Sequence, residues 1–362
     1  MARTTLLLAA ALLLAGVHDV SARTLSHKRA ALTLRDPPSG ALWDYIANAS
    51  QFTIIADMLM EAGLDEVIKR IPDDQPATLL LPTDIAFAFF MPEVGDVSGL
   101  MNISGLDAAD FYTDLLGYHV ISDMAINLTE AAAGEGLTVE ASNGETMAIV
   151  NGSGGHATVI DQLGRITDIY EGLNVTQIGE AFVYSMPRVL IPYRAATIKD
   201  MFYALPGSFS YMAACMELIE SDLLTNATAE VTVLAPFNEA WERYAERYNV
   251  SLPALTENVT ACADIVAGAL IPSAAMTAAG LEVGQVLMTA YEEADWTVRM
   301  TATKQYTYIY FEGSEEFGVR TPFAIEVDLK AGRSVVHGVD LLTPPNNIGY
   351  GNYYADEYYA DP

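Results

Sequence analysis

The clearest pattern along the chain is an apolar run that ends in proline and is followed at once by a helical pattern, and it occurs twice. Thr78-Leu79-Leu80-Leu81-Pro82-Thr83-Asp84-Ile85-Ala86-Phe87 returns as Thr232-Val233-Leu234-Ala235-Pro236-Phe237-Asn238-Glu239-Ala240-Trp241, 154 positions later. Each copy predicts a buried strand stopped by proline, which cannot donate to a ladder, and a helix beginning just beyond it. Asp84 and Asn238 are the expected N-caps, accepting from the first free N–H groups. About forty residues before each proline lies a helical pattern, Ala41–Gly63 and Ile198–Leu223; Phe52, Ile55, Met58, Leu59 and Ala62 share one face of the first. After each proline the periodicity changes to short alternating runs, such as Leu137–Ala141, Met147–Val150 and Tyr306–Phe311, which read as antiparallel strands.

Other pieces keep the same offset. Leu115–Ile121 aligns with Ile265–Ile271, and Phe182–Pro192 with Val335–Pro345. A period near 150 is too long for a solenoid, so each copy is expected to be a whole α+β domain with its own core. The expected organisation is a domain at 40–193 and another at 194–345. Ahead of them lie a signal peptide at 1–22 and a basic arm at 23–39, and an acidic, Tyr-rich disordered tail follows at 346–362. The signal rests on Arg3, the apolar run Leu6–Val17 and the small residues Val20-Ser21-Ala22. The run is too short to span a bilayer, and neither a membrane span nor a lipid-anchor signal is expected elsewhere. Five tyrosines, Tyr350, Tyr353, Tyr354, Tyr358 and Tyr359, crowd the tail, which makes cross-linking through tyrosine a second reading of it.

Charge narrows the partners. The 362 residues carry a formal net charge of −29 at pH 7, whereas Arg23–Arg35 holds four cations and no acid. Nucleic acid is therefore not an expected partner, since phosphate recognition needs clustered Lys and Arg. Weak, diffuse calcium binding by the acidic surface is compatible with this balance. Asn-x-Ser/Thr occurs at Asn48, Asn102, Asn127, Asn151, Asn174, Asn226, Asn249 and Asn258, whereas thirteen Asn and 45 Ser or Thr predict fewer than two by chance. That excess points to a secreted glycoprotein. Cys215 and Cys262, the only cysteines, fall in the second domain; export favours a disulfide between them over two buried free thiols.

No pattern of acid, base, nucleophile, metal ligands or phosphate loop appears, so no enzyme, cofactor or metal site is expected. The Gly-rich stretch Gly152–His156 reads as a hairpin loop.

The repeated blocks, taken together, resemble the fasciclin-like domain family over about 300 residues. Leu79–Phe87 and Val231–Trp241 are similar to that family's first block, Tyr118-His119 to its Tyr-His motif, and Val335–Pro344 to its closing block. The second domain has Gly268-Ala269 in place of Tyr-His, and the first closes without the histidine seen at His337. The resemblance implies two tandem α+β domains, each a β-strand wedge flanked by helices. It also implies a non-catalytic adhesion or extracellular-matrix role, with Tyr118, His119 and His337 as candidate contact residues. The residues themselves offer another reading of the Tyr-His pair, as a tie between backbone segments through ring N–H and phenol O–H. The expected localisation is secreted, in matrix or cell wall, with an extracellular protein or glycan as partner, or a second copy of the chain. The alternative function is an extracellular module binding a wall polysaccharide or a small apolar ligand.

Overall fold

A computed structural model describes residues 40–342, apart from 70, 153–154, 170–174, 221, 273, 292–294, 303–306 and 314–321. The expected signal, basic arm and Tyr-rich tail, and the sequon at Asn174, lie outside the described residues. The chain divides into two compact units with the boundary between Tyr193 and Arg194, and the short stretch Leu163–Arg165 groups with the second.

The first unit opens with helices α1 (Ala41–Asn48), α2 (Thr53–Glu61) and α3 (Asp65–Ile68), followed by β1 (Ala77–Pro82). Then come α4 (Asp84–Val94), α5 (Ser98–Ser104), α6 (Ala108–Gly117), β2 (Val120–Ser122) and α7 (Leu128–Ala133). Six strands close it: β3 (Leu137–Glu140), β4 (Thr146–Asn151), β5 (Ala157–Ile160), β6 (Ile166–Ile169), β7 (Val175–Ile178) and β8 (Ala181–Met186). One sheet has the order β2-β1-β8-β7 and the other is the meander β3-β4-β5-β6. β1 is buried at all six positions and runs parallel to β8, with Leu80 opposite Tyr184 and Pro82 opposite Met186. Proline therefore sits at the last rung of a central strand, where its missing N–H leaves the ladder intact.

The second unit repeats the plan with α8 (Ile198–Ala204), α9 (Pro206–Ile219), α10 (Asp222–Thr225), β9 (Thr232–Pro236), α11 (Asn238–Tyr248), α12 (Leu252–Thr256), α13 (Val259–Ala269) and β10 (Leu270–Ile271). β11 (Val286–Met288), β12 (Asp295–Ala302), β13 (Thr307–Gly313), β14 (Ala324–Ala331) and β15 (Ser334–Val339) follow. Its first sheet, β10-β9-β15-β14, matches the first unit's strand for strand, including the parallel pair β9 and β15. The architecture is α+β, two tandem wedges of sheet flanked by helices. Each unit has its own core between its two sheets; Leu80, Tyr118, Ile149, Val159 and Tyr184 share one, and Leu234, Trp296, Val298, Phe311 and Val339 the other.

Two expectations change. The helical patterns before the prolines are broken rather than continuous. Ala41–Gly63 breaks between Asn48 and Thr53, and Ile198–Leu223 at Leu205, where Pro206 starts a new helix and removes an N–H from any continuous one. Asp84 and Asn238 are also not N-caps of their own helices. Thr83 caps α4 through the Ala86 N–H, and Phe237 precedes α11 with no side-chain cap. Asp84 reaches instead to the start of α2, accepting from the Thr53 hydroxyl at 2.6 Å and the Ile54 N–H at 2.9 Å. Asn238 does the same toward α9, accepting from the Tyr211 N–H at 3.3 Å and donating to the carbonyls of Pro206 and Gly207. Asp84 thus ties down the first turn of α2, whose N–H groups have no partner within that helix, and Asn238 ties the start of α9 and the turn that follows its kink at Phe209.

Cys215 on α9 and Cys262 on α13 form a disulfide between buried residues 47 positions apart. A closed loop of that length contributes roughly 4 kcal/mol by restricting the unfolded chain. Replacing both cysteines by serine is expected to lower unfolding stability by about that amount, read as a shift in the urea midpoint, while a variant of the first unit's surface leaves it unchanged.

Candidate functional site

The repeated motif places a threonine on each central strand, Thr78 on β1 and Thr232 on β9, both fully buried. A hydroxyl there must find both a donor and an acceptor or pay for its burial. Thr78 Oγ1 donates to the Met124 carbonyl at 2.8 Å and accepts from the Ile126 N–H at 2.8 Å. Thr232 Oγ1 donates to the Ala274 carbonyl at 2.7 Å and accepts from the Met276 N–H at 2.8 Å. Each threonine therefore fastens the segment that leaves the short antiparallel strand β2 or β10. The partners repeat at an offset of 150 and the threonines at 154, so the same staple is built twice.

Opposite that staple the two units use different side chains for one task. In the first, Tyr184 on β8 donates through Oη to the Ile126 carbonyl and accepts from the Leu128 N–H, both at 3.0 Å. In the second, the equivalent rung of β15 carries His337, whose Nε2 donates to the Met276 carbonyl at 2.9 Å. Its Nδ1 accepts from the Asp328 N–H at 3.3 Å. The histidine missing from the first unit's closing block is thus replaced by a tyrosine that reaches the same loop.

The Tyr-His pair shows a second exchange. Tyr118 is fully buried and its Oη donates to the Thr146 carbonyl on β4 at 2.8 Å. The second unit has Gly268 at that helix end, and Trp296 on β12 fills the space, its Nε1 donating to the Gly268 carbonyl at 3.0 Å. The bond crosses the same gap in the opposite direction, with the large side chain supplied by the strand rather than the helix. His119, 1% exposed, lies 2.8 Å through Nδ1 from the Leu115 carbonyl and accepts at Nε2 from the Leu190 N–H at 2.9 Å. A carbonyl only accepts, so Nδ1 carries the proton.

The structure places the candidate contact residues inside their units. Tyr118, His119 and His337 are at most 1% exposed, and their polar atoms bond backbone of their own unit. They join backbone segments within their own units. Sequence reasoning overlooked Thr78, Thr232, Tyr184 and Trp296. The threonines were visible as part of the repeated block, whereas Trp296 has no counterpart at the matching position to point to it.

Burial pushes the His337 ring below the ordinary histidine value, opposed by the Met276 carbonyl and the Asp328 carboxylate. The Asp328 carboxylate lies 3.9 Å from Nδ1 and is itself engaged, accepting from the Ala278 N–H. Protonation would put an N–H against the Asp328 N–H.

Among the described residues, no group of three or more His, Cys, Asp or Glu is arranged to hold a metal ion, and no helix is long and apolar enough to cross a membrane. Seven of the eight sequon asparagines are described. Asn48, Asn102, Asn151, Asn226, Asn249 and Asn258 are exposed, and Asn127 is half-buried. Asn127 and Asn258 cap α7 and α13 through their side-chain oxygens. Asn226 accepts through its oxygen from both the N–H and the hydroxyl of Thr228, the last residue of its sequon.

The family model of the Fasciclin domain matches residues 50–192, within the first unit. Among solved structures the chain is similar to a FAS1 domain pair from the insect cell adhesion molecule Fasciclin I, at 16% identity and a TM-score of 0.37, over 79% of this chain and 94% of that one. No curated protein matches the chain.

Two outcomes test the staples. Thr232→Val keeps the volume but leaves a buried carbonyl and N–H without the hydroxyl, and is expected to cost about 2–4 kcal/mol; Thr78→Val should cost the same in the first unit. For His337 the unfolded chain binds the proton more readily than the fold. Its stabilising contribution is full above about pH 6.5, the unfolded value, and declines as pH falls below it. A thermal-melting series from pH 7.5 to 5 should show that decline, and His337→Gln should reduce its slope.

Proposed function

We propose that this chain is a secreted, N-glycosylated adhesion or extracellular-matrix protein that works through surface contacts of its two fasciclin-like units and performs no catalysis. The observation that carries the reading is the placement of the sequons. The seven described asparagines are spread over both units, six of them are exposed, and chance predicts fewer than two sequons in the chain. Glycan transfer needs such access. The Cys215–Cys262 disulfide fits the same oxidising compartment.

The buried staples further support a contact role. Tyr118, His119, Tyr184 and His337, the residue types that most often carry acid–base chemistry or binding, are spent on backbone bonds inside their units. What remains available is surface. Two units in one chain can engage two sites at once and raise avidity without any new contact. A net charge of −29 makes contact between two copies repulsive unless cations screen or bridge it.

Protein purified from a secreting eukaryotic host should lose mass on treatment with an N-glycan-cleaving amidase; unchanged mass would remove the glycoprotein reading. Beads coated with that protein are expected to clump in millimolar calcium and to disperse in chelator. Clumping that ignores both salt and calcium would contradict cation bridging. No clumping in either buffer would exclude self-adhesion and direct the search to a heterologous protein or glycan.

A further inference from the structure

The repeat supplies an internal control for surface composition. On α4 the exposed positions at helical spacing are Ile85, Ala88, Phe89 and Pro92, all apolar; Ile85 is 67% exposed and Phe89 69%. At the equivalent positions, 154 residues on, α11 exposes Glu239, Glu242, Arg243 and Glu246. The two helices follow the same strand, bury the same opposite face and start at the same point. The buried face keeps its apolar or aromatic character, whereas the outer stripe changes from apolar to charged at all four positions. Single exposed apolar residues are ordinary, but a contiguous stripe on so acidic a chain marks a covered or binding surface.

Size and charge decide what covers it. From Ile85 to Pro92 the stripe runs about 10 Å along the helix. A patch of that length offers far less than the ~800 Å² per partner of a stable protein interface. Its unit, residues 40–193, holds four Lys and Arg against 22 Asp and Glu, so a second copy would be repelled. A short apolar segment bearing positive charge fits both limits.

The chain itself contains such a segment. Residues 23–35 carry Arg23, Lys28, Arg29 and Arg35, no acid, and Ala30, Leu32 and Leu34 at alternate positions. This segment also joins the chain close to the stripe. Residues 36–39 lead to Gly40 and α1, and the Gln51 carbonyl just beyond α1 accepts from the Asp84 N–H at the head of α4, at 2.9 Å. Eight helical residues and a few extended ones place Gly40 within about 30 Å of Asp84. Six to eight extended residues carry Leu34 and Leu32 roughly 20–28 Å from Gly40.

We infer that the basic arm, residues 23–35, docks on the apolar stripe of α4 in its own chain, covering Ile85 and Phe89 until a competing partner displaces it. Its cations meet the acidic unit and its leucines meet the stripe. The second unit, with a charged stripe on α11, has no such site.

Trypsin cuts after Lys28, Arg29 and Arg35, so docking is read as protection. In the full secreted chain, cleavage at these three sites, followed by mass spectrometry, should be slower by about tenfold than in an Ile85→Ser, Phe89→Ser chain, because cleavage tracks the undocked population. Leu32→Ser with Leu34→Ser, which leaves the folded units untouched, should release the protection to the same degree. Equal cleavage rates in all three chains overturn the inference. Protection that appears only as protein concentration rises also overturns it, since a second copy would then be the occupant.

Discussion

In each unit one buried hydroxyl holds the two halves of the fold together. Thr78 and Thr232 sit on the central strand of a sheet whose parallel partner arrives about a hundred residues later. Parallel pairing of such distant segments needs a long crossover, and the chain in between must be kept in place. The threonine does this where the chain leaves the short antiparallel strand, donating to one carbonyl and accepting from an N–H two residues on. The meander sheet is then led across the wedge and its apolar face meets the first sheet.

Around that fixed point the two units have diverged while keeping the connections. Tyr184 and His337 occupy one rung and reach one loop; Tyr118 and Trp296 bridge one gap from opposite sides. What persists is a polar tip at the end of a large buried side chain, satisfying backbone that would otherwise be buried without a partner. The exchange has a chemical consequence. A tyrosine at this rung does not titrate near neutral pH, whereas a histidine does. The second unit therefore carries an acid-sensitive staple where the first carries a tyrosine, although a buried histidine, His119, lies in the first unit as well.

Surface and core have followed different rules. The cores differ by compensated exchanges, but the outer face of the helix after the central strand has changed from apolar in the first unit to charged in the second. Nothing inside either unit demands that change, because the buried positions of both helices are filled by Ala86, Phe87 and Phe90 in one and Ala240, Trp241 and Tyr244 in the other.

Much of this was legible from the chain. An apolar run ended by proline, found twice at a fixed offset, specifies a buried strand, a helix start and a tandem α+β plan, because strand burial and proline's missing donor are local properties. Charge, sequon excess and the two cysteines likewise depend only on composition and spacing. The roles of Asp84, Asn238 and His337, and the partners that Tyr118 and His119 tie, did not follow from local pattern. A side chain able to cap its own helix, or to meet a partner, turns elsewhere when a distant segment brings an unsatisfied N–H or carbonyl within reach. Thr78 finds Ile126 and His119 finds Leu190 only after the sheet has formed, and it was the tertiary structure that decided those bonds, because burial leaves each polar group no water to bond instead.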